Sequence, residues 1–144
     1  MKAVQFVTLA SEFASGTTEA HYRSAISRAY YGAFHTARQL LQDVGIRLPK
    51  GEQIHMKATF CLRGCGNRSA AEAAAELEVL RTERNRADYE LERRATTQAA
   101  AQSQVQTAKR IVAKLDQCRS GPNAADFRAK VWAQAKLLGL PVSP

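Results

Sequence analysis

The sequence predicts an all-α protein, and three observations carry that expectation. Only four prolines occur in 144 residues, alanine is abundant, which favours helix, and one long run repeats apolar residues at helical spacing without interruption. That run extends from about Thr18 to Asp43, with Ile26, Ala29, Tyr30, Ala33, Phe34, Ala37, Leu40, Leu41 and Val44 as its stripe and Gly45 as its stop. Some 26 residues at 1.5 Å each make a rod of about 40 Å, whose natural home is a four-helix bundle of up-and-down type.

The remaining elements follow in chain order. Residues 3 to 14 place Val4, Val7, Ala10 and Phe13, with Phe6 beside them, on a first short helix that stops at Ser15 and Gly16. After the long second helix, a segment punctuated by Pro49, Gly51, Gly64 and Gly66 leaves room for one short helix around Glu52 to Leu62. Ser69 followed by Glu72 reads as a capping box opening the next helix, with Ala73, Leu77 and Leu80 on its inner face. Another long helix runs from roughly Thr96 to Cys118 with Ala101, Val105, Ala108, Ile111, Val112 and Leu115 inward. Beyond "RSGPN", Asn123 is the expected N-cap of a short terminal helix anchored by Phe127, Val131, Trp132, Ala135 and Leu138. Docking onto its own core is the commoner fate of such a helix, and a partner surface is the alternative. The expected division is a bundle over residues 1–120 and a helical extension over 121–144.

Twenty-one lysines and arginines against thirteen acids give a net charge of +8. An excess of this sign suits a polyanionic partner, and it is equally the surface of an arginine-rich proteome. Cys61, Cys65 and Cys118 form an odd set without repeating spacing, which fits a reducing compartment and idle thiols. Joined with His55 they match no common zinc pattern, so neither metal nor cofactor is expected. The N-terminal apolar run is broken by Gln5, Thr8, Ser11 and Glu12 and fails as a signal peptide, and nothing approaches the roughly 18 apolar residues of a membrane span. A cytoplasmic location is expected.

Two polar features remain. On the second helix Ser24, Arg28, Tyr31, His35, Arg38 and Gln42 recur every three or four residues, within a sector of roughly 80° centred about 150° from the apolar stripe. A solvated face rarely carries an aromatic and a histidine in its middle; Tyr31 and His35 could line a groove, stack on a base or make a subunit contact, or be a surface histidine beside a half-buried tyrosine. On the fourth helix, extending the inward series Ala73, Leu77, Leu80 leads to Arg84, then Ala87 and Leu91. An arginine at a core position must be paired or open onto a cleft. Asp88, one turn on, is its nearest partner, while Asn85 and Tyr89 stand beside it and Glu83, Arg86 and Arg93 supply a charged rim.

These two segments together resemble the HEPN superfamily of helical-bundle proteins found in bacterial toxin-antitoxin and defence systems. "SRAYYGAFHTARQLL" is similar to the long helix of small prokaryotic members through Ser27, Arg28, Tyr30, Tyr31, Phe34 and His35, and "RNRADY" resembles their later motif through Arg84, Asn85, Ala87, Asp88 and Tyr89. The match spans about residues 20 to 118.

The resemblance implies a homodimer whose motif helices meet at a shared cleft and, in active members, a metal-independent ribonuclease. In that mechanism the arginine stabilises phosphate charge, the next polar residue orients, and a downstream histidine moves protons while the RNA 2′-OH attacks. Arg84 and Asn85 match; the histidine position holds Tyr89. A phenol near pKa 10 needs about 3 units of depression, roughly 4 kcal/mol, to serve as a base near neutrality. Tyr89 is instead suited to donating a hydrogen bond or stacking on a base, and His35 is the substitute proton carrier if the bundle brings the helices together. The expected catalytic set is therefore Arg84, Asn85 and Tyr89, with Arg28, Tyr31, His35, Arg38 and Asp88 binding RNA or nucleotide. The resemblance also implies a nucleotidyltransferase antitoxin as partner, with Tyr89 a candidate for adenylylation. The other outcome is a non-catalytic module that binds nucleotide or that partner.

Overall fold

A computed structural model describes residues 1–143. Among the described residues six helices occur: α1 (Ala3–Ala14), α2 (Glu19–Asp43), α3 (Gln53–Gly64), α4 (Arg68–Tyr89), α5 (Gln98–Ser120) and α6 (Ala124–Leu137). The expectation of an all-α helical bundle with a short C-terminal helix is met. No helix of the described residues is long and apolar enough to cross a membrane.

Two compact units share the long helices. The first comprises Met1–His35 and Glu76–Arg110. Its core joins Val7 and Ala10 of α1, Ile26, Tyr30 and Phe34 of α2, Leu77 and Leu80 of α4, and Val105 of α5, all buried. The apolar stripes of these helices explain the packing, because each has one face to remove from water. Gly32 lets α1 and α2 approach closely: a Cβ there would stand 2.5 Å from Val7 Cγ2 and 3.1 Å from the Val7 backbone nitrogen. At Ala14 the chain is held by Gln98, whose side-chain amide donates to the Ala14 carbonyl at 3.0 Å.

The second unit comprises Thr36–Ala75 and the described residues from Ile111 onward. Here α6 packs on α3, with Phe127, Val131 and Ala135 fully buried. The terminal helix therefore docks onto its own chain. Trp132 is half-buried, and its indole N–H donates to the Val44 carbonyl. Gly45, at φ +95°, turns the chain after α2 in a conformation open to glycine, and a Cβ there would strike the Ser143 carbonyl. The turn leads to an isolated antiparallel bridge between Ile46 and Val142. Cys61, Cys65 and Cys118 are free and buried in this unit, and burial pushes the Cys61 thiol up to about 12 and Cys118 up to about 11.

Two expectations about α4 are corrected. The helix opens at Arg68, one residue before Ser69, and its cap is Asn67, whose Oδ1 accepts from the Ala70 amide at 2.9 Å. Glu72 is thus free of any capping role and sits 2.9 Å from Arg68 and 3.4 Å from Lys114, cations that hold its carboxyl below the usual range. At the other end α4 stops at Tyr89, so Leu91 lies in a turn, 71% exposed, and does not continue the inner face. Arg23 closes that end by donating to the carbonyls of Ala87 at 2.8 Å, Glu90 at 3.3 Å and Arg86 at 3.4 Å. A guanidinium on the last carbonyls satisfies acceptors that a helix terminus leaves orphaned.

Candidate functional site

Within the first unit, α2 and α4 face each other along the two motif segments. The α2 stripe brings Ser27, Arg28, Tyr31 and His35, and α4 brings Arg84, Asn85, Asp88 and Tyr89. Arg84 is the centre of the cluster. Its Nη2 donates to the Tyr31 hydroxyl at 2.7 Å, its Nη1 donates to Asn85 Oδ1 at 3.0 Å, and its Nε lies 2.9 Å from Asp88 Oδ2. The Arg84 and Asp88 side chains are only 18% and 27% exposed, so the pair is partly withdrawn from water. Ser27, itself buried, donates to the same Asp88 oxygen at 3.2 Å and fixes the carboxylate from α2.

The guanidinium is held by three neighbours and is not saturated by them. It carries five N–H donors in a planar fork. Two make aligned hydrogen bonds, and the buried Nε–H has the Asp88 charge beside it without alignment on an acceptor. One N–H on each terminal nitrogen therefore remains for an incoming oxygen anion, the bidentate presentation that suits phosphate. Tyr31, as acceptor to Arg84, keeps its own O–H proton for donation.

Aromatic rings surround these charges. The Arg84 guanidinium lies 5.1 Å from the Tyr31 ring centroid and 5.7 Å from that of Tyr89. Arg28 lies 5.2 Å from Tyr31 and 5.8 Å from Phe6. Both are cation–π distances. Arg28 has no carboxylate partner among the described residues, so one aspartate faces two arginines and the cluster keeps a net positive charge. Tyr89 is 72% exposed. Tyr30, on the neighbouring face of α2, is buried, and burial lifts its hydroxyl to about 12 against the opposing pull of Arg81 and Arg84. It stays protonated and belongs to the core.

His35 is half-buried and stacks on Phe6 at 5.2 Å, with the Tyr31 ring 6.1 Å away. It joins the Arg84 cluster through Tyr31. Tyr31 is likewise half-buried, and an aromatic row of Phe6, His35 and Tyr31 holds the imidazole. Arg38 is half-buried in the second unit, one turn further along α2. The structure thus gathers Arg28, Tyr31, His35, Arg84, Asn85, Asp88 and Tyr89 within one unit. Phe6 was read only as a residue beside the Val4, Val7, Ala10 register, and no sequence signal tied it to His35. Ser27 carried a signal in its place within the motif, yet no spacing tied it to Asp88.

Among the described residues no group of three or more histidine, cysteine, aspartate or glutamate side chains could hold a metal ion. No curated protein and no solved structure matches the chain. A family model described as HEPN domain matches residues 2–118, which takes in α1, both motif segments and α5 nearly to its end. The serine-to-aspartate and tyrosine-to-arginine contacts join the two segments whose resemblance was read in the sequence, and with that match covering most of its length the chain belongs to the HEPN domain family.

Proposed function

We propose that the protein binds RNA through the Arg84 cluster and cleaves it without a metal ion, as a homodimeric toxin component of a toxin-antitoxin or defence system. The observation that supports this reading is the Arg84 guanidinium, oriented by Tyr31, Asn85 and Asp88 with one N–H left on each terminal nitrogen. A phosphodiester presents two non-bridging oxygens to such a fork, and the unpaired Arg28 adds a second cation beside it. In the cleavage step the 2′-OH attacks the adjacent phosphorus and the bond from phosphorus to O5′ breaks. The products are a 2′,3′-cyclic phosphate and a free 5′-OH. Charge grows on the non-bridging oxygens during attack, and a donor already in place there contributes typically 10²–10³ in rate. The exposed Tyr89 phenol beside Arg84 is suited to giving a proton to the leaving oxygen. Removal of the 2′-OH proton is the weak step, because no imidazole occupies the motif position.

A second reading rests on that same position. With Tyr89 in the histidine's place, a HEPN module that binds nucleotide or a nucleotidyltransferase partner would need only the Arg84 and Arg28 cations and no proton carrier. The separating experiment follows both binding and cleavage of total RNA by the full chain in the presence of a chelator, with Arg84→Lys alongside. Cleavage with cyclic-phosphate ends that disappears in Arg84→Lys supports the first reading, since a lysine keeps the charge and loses the fork. Salt-sensitive binding without cleavage moves the protein to the second. Salt-insensitive binding, or none, rejects RNA as the ligand.

A further inference from the structure

In the second unit the chain that leaves α2 meets the chain that leaves α6. The Arg47 amide donates to the Pro141 carbonyl at 2.9 Å, next to the bridge between Ile46 and Val142. These two segments, with Gln53 and Lys57 of α3, line an open pocket of about 370 Å³. A pocket of a few hundred Å³ with apolar walls and a few charged groups is the usual form of a small-ligand site.

The walls are apolar and reachable. Leu48, Pro49 and Leu138 are half-buried and Pro141 is exposed, so each offers surface to a ligand. Leucine and proline side chains carry no hydrogen-bonding group, and a polar body laid against them would lose its bonds to water without replacement.

The charges of the lining have one sign. Among the described residues it holds Arg47 and Lys57 and no carboxylate. Arg47 is exposed, and its side chain has no acceptor or aromatic partner among the described residues. Lys57 is half-buried, and the acceptor within reach of its ammonium is the Leu138 carbonyl at 3.5 Å. That lies beyond the usual range of roughly 2.7–3.2 Å, so the ammonium keeps its donors for an incoming anion.

The arrangement favours a carboxylate over a phosphate. Phosphate sites draw on successive free backbone N–H groups. Here the amides of Arg47, Leu138, Gly139 and Leu140 already donate to backbone carbonyls, and Pro49 and Pro141 have no N–H to give. What remains is chiefly a guanidinium fork and an ammonium, which match the two oxygens of a carboxylate.

We infer that this pocket binds a small monocarboxylic acid with an apolar body, the carboxylate on Arg47 and Lys57 and the body against Leu48, Pro49, Leu138 and Pro141. The body is aryl or alkyl. The site stands independently of the RNA reading, because Arg84 belongs to the first unit and residues 138–141 lie beyond the stretch that the family model matches.

The test is a titration of the full chain followed by backbone-amide NMR. Phenylacetate and hexanoate are the aryl and alkyl probes, and their neutral amides, acetate and phenyl phosphate are the controls. At least one probe is expected to saturate with a dissociation constant on the order of millimolar or tighter, moving the amides of Leu48 and of Leu138 to Leu140. The tighter probe assigns the body. The amides lack the charge and acetate lacks the body, so each is expected to bind at least roughly tenfold more weakly. Arg47→Gln removes an unpaired exposed cation, so its melting temperature is expected to hold while the dissociation constant rises roughly tenfold or more. Lys57→Met keeps the stem and is expected to act alike; should it lose its fold, Arg47→Gln decides. Arg84→Ala is expected to leave the affinity within about twofold. Failure of both probes to saturate, shifts confined to other amides, or unchanged affinity in Arg47→Gln overturns the proposal. Tighter binding of phenyl phosphate than of either probe also overturns it, because the pocket would then select phosphate. Failure of RNA binding leaves these titrations untouched, so the two readings fail separately.

Discussion

The Tyr31 hydroxyl accepts a 2.7 Å hydrogen bond from Arg84 Nη2, tying the motif of α2 to the motif of α4 through one phenol. This contact decides which way the guanidinium points. Tyr31→Phe removes the acceptor and retains the ring on which Arg84 and Arg28 lie. A hydrogen bond to a charged group contributes about 1.5–3 kcal/mol, so RNA affinity is expected to fall by roughly tenfold or somewhat more while the helices stay packed. Filter binding across a salt series measures it, and unchanged affinity would show that Tyr31 does not orient Arg84.

Asp88 acts on the same guanidinium with opposite sign. Its carboxylate cancels part of the Arg84 charge and is held in place by Ser27. Asp88→Asn keeps the size and removes the charge. The cluster then carries one more net cation, so the slope of log K against log salt is expected to steepen by up to about one phosphate contact. Cleavage is expected to fall in the same variant, because Arg84 loses the anchor at Nε. A slope equal to that of the unaltered protein would mean that RNA phosphate does not meet this pair.

Much of this cluster was legible in the sequence. Arg84 falls on the helical series begun by Ala73, Leu77 and Leu80, and an arginine there had to find a partner. Tyr31 and His35 stood out because an aromatic and an imidazole interrupt a polar stripe. What could not be read was any contact between helices: the donation from Ser27 to Asp88, the seat of His35 on Phe6, and the Arg23 side chain that ends α4. These depend on which faces meet, whereas periodicity reports only which face is apolar. The capping error had a local cause. Asn67 and Ser69 are both good caps, and the Ser69, Glu72 spacing favoured the wrong one.

Gly32 is where α1 and α2 touch, and its test concerns packing alone. Gly32→Ala sets a Cβ 2.5 Å from Val7 Cγ2 and is expected to destabilise by about 1–3 kcal/mol, as overpacking does. Adding Val7→Ala removes the side-chain clash and leaves the 3.1 Å approach to the Val7 nitrogen. Recovery in the double variant is therefore expected to be partial. Urea midpoints of the two single variants and the double variant check this, and a neutral Gly32→Ala would show that the helices separate there without cost.

Alkaline pH tests the buried thiols. Cys61 and Cys118 ionise at about 12 and about 11 in the folded chain, raised by burial from an ordinary 9.0. The unfolded chain therefore releases these protons first. Their contribution to stability is complete below pH 9 and declines as pH rises toward the folded values, with a slope of about 1.4 kcal/mol per pH unit for each group. The urea midpoint is expected to be lower at about pH 10 than at about pH 8. In Cys61→Ala combined with Cys118→Ala the starting stability is lower and the decline shallower. An identical decline in that variant would place the alkaline sensitivity on other groups.

Tyr89 is the residue on which the chemistry turns. It is 72% exposed at the last position of α4, and its ring faces the Arg84 guanidinium at 5.7 Å. Tyr89→His is thus expected to change stability by no more than about 0.5 kcal/mol, as surface substitutions do. It puts an imidazole of ordinary pKa about 6.5 beside a guanidinium already oriented for phosphate. If Arg84 positions an RNA phosphodiester, the missing proton carrier is what limits cleavage. Supplying it is expected to raise the rate by about 10²–10⁴, the usual range for general acid–base catalysis. The pH profile of the variant should then show an inflection near neutrality from the added imidazole. Initial rates on a defined single-stranded RNA, read from about pH 5 to 9, would show both effects. A folded Tyr89→His protein that binds RNA and still does not cleave it would place the Arg84 cluster in binding alone.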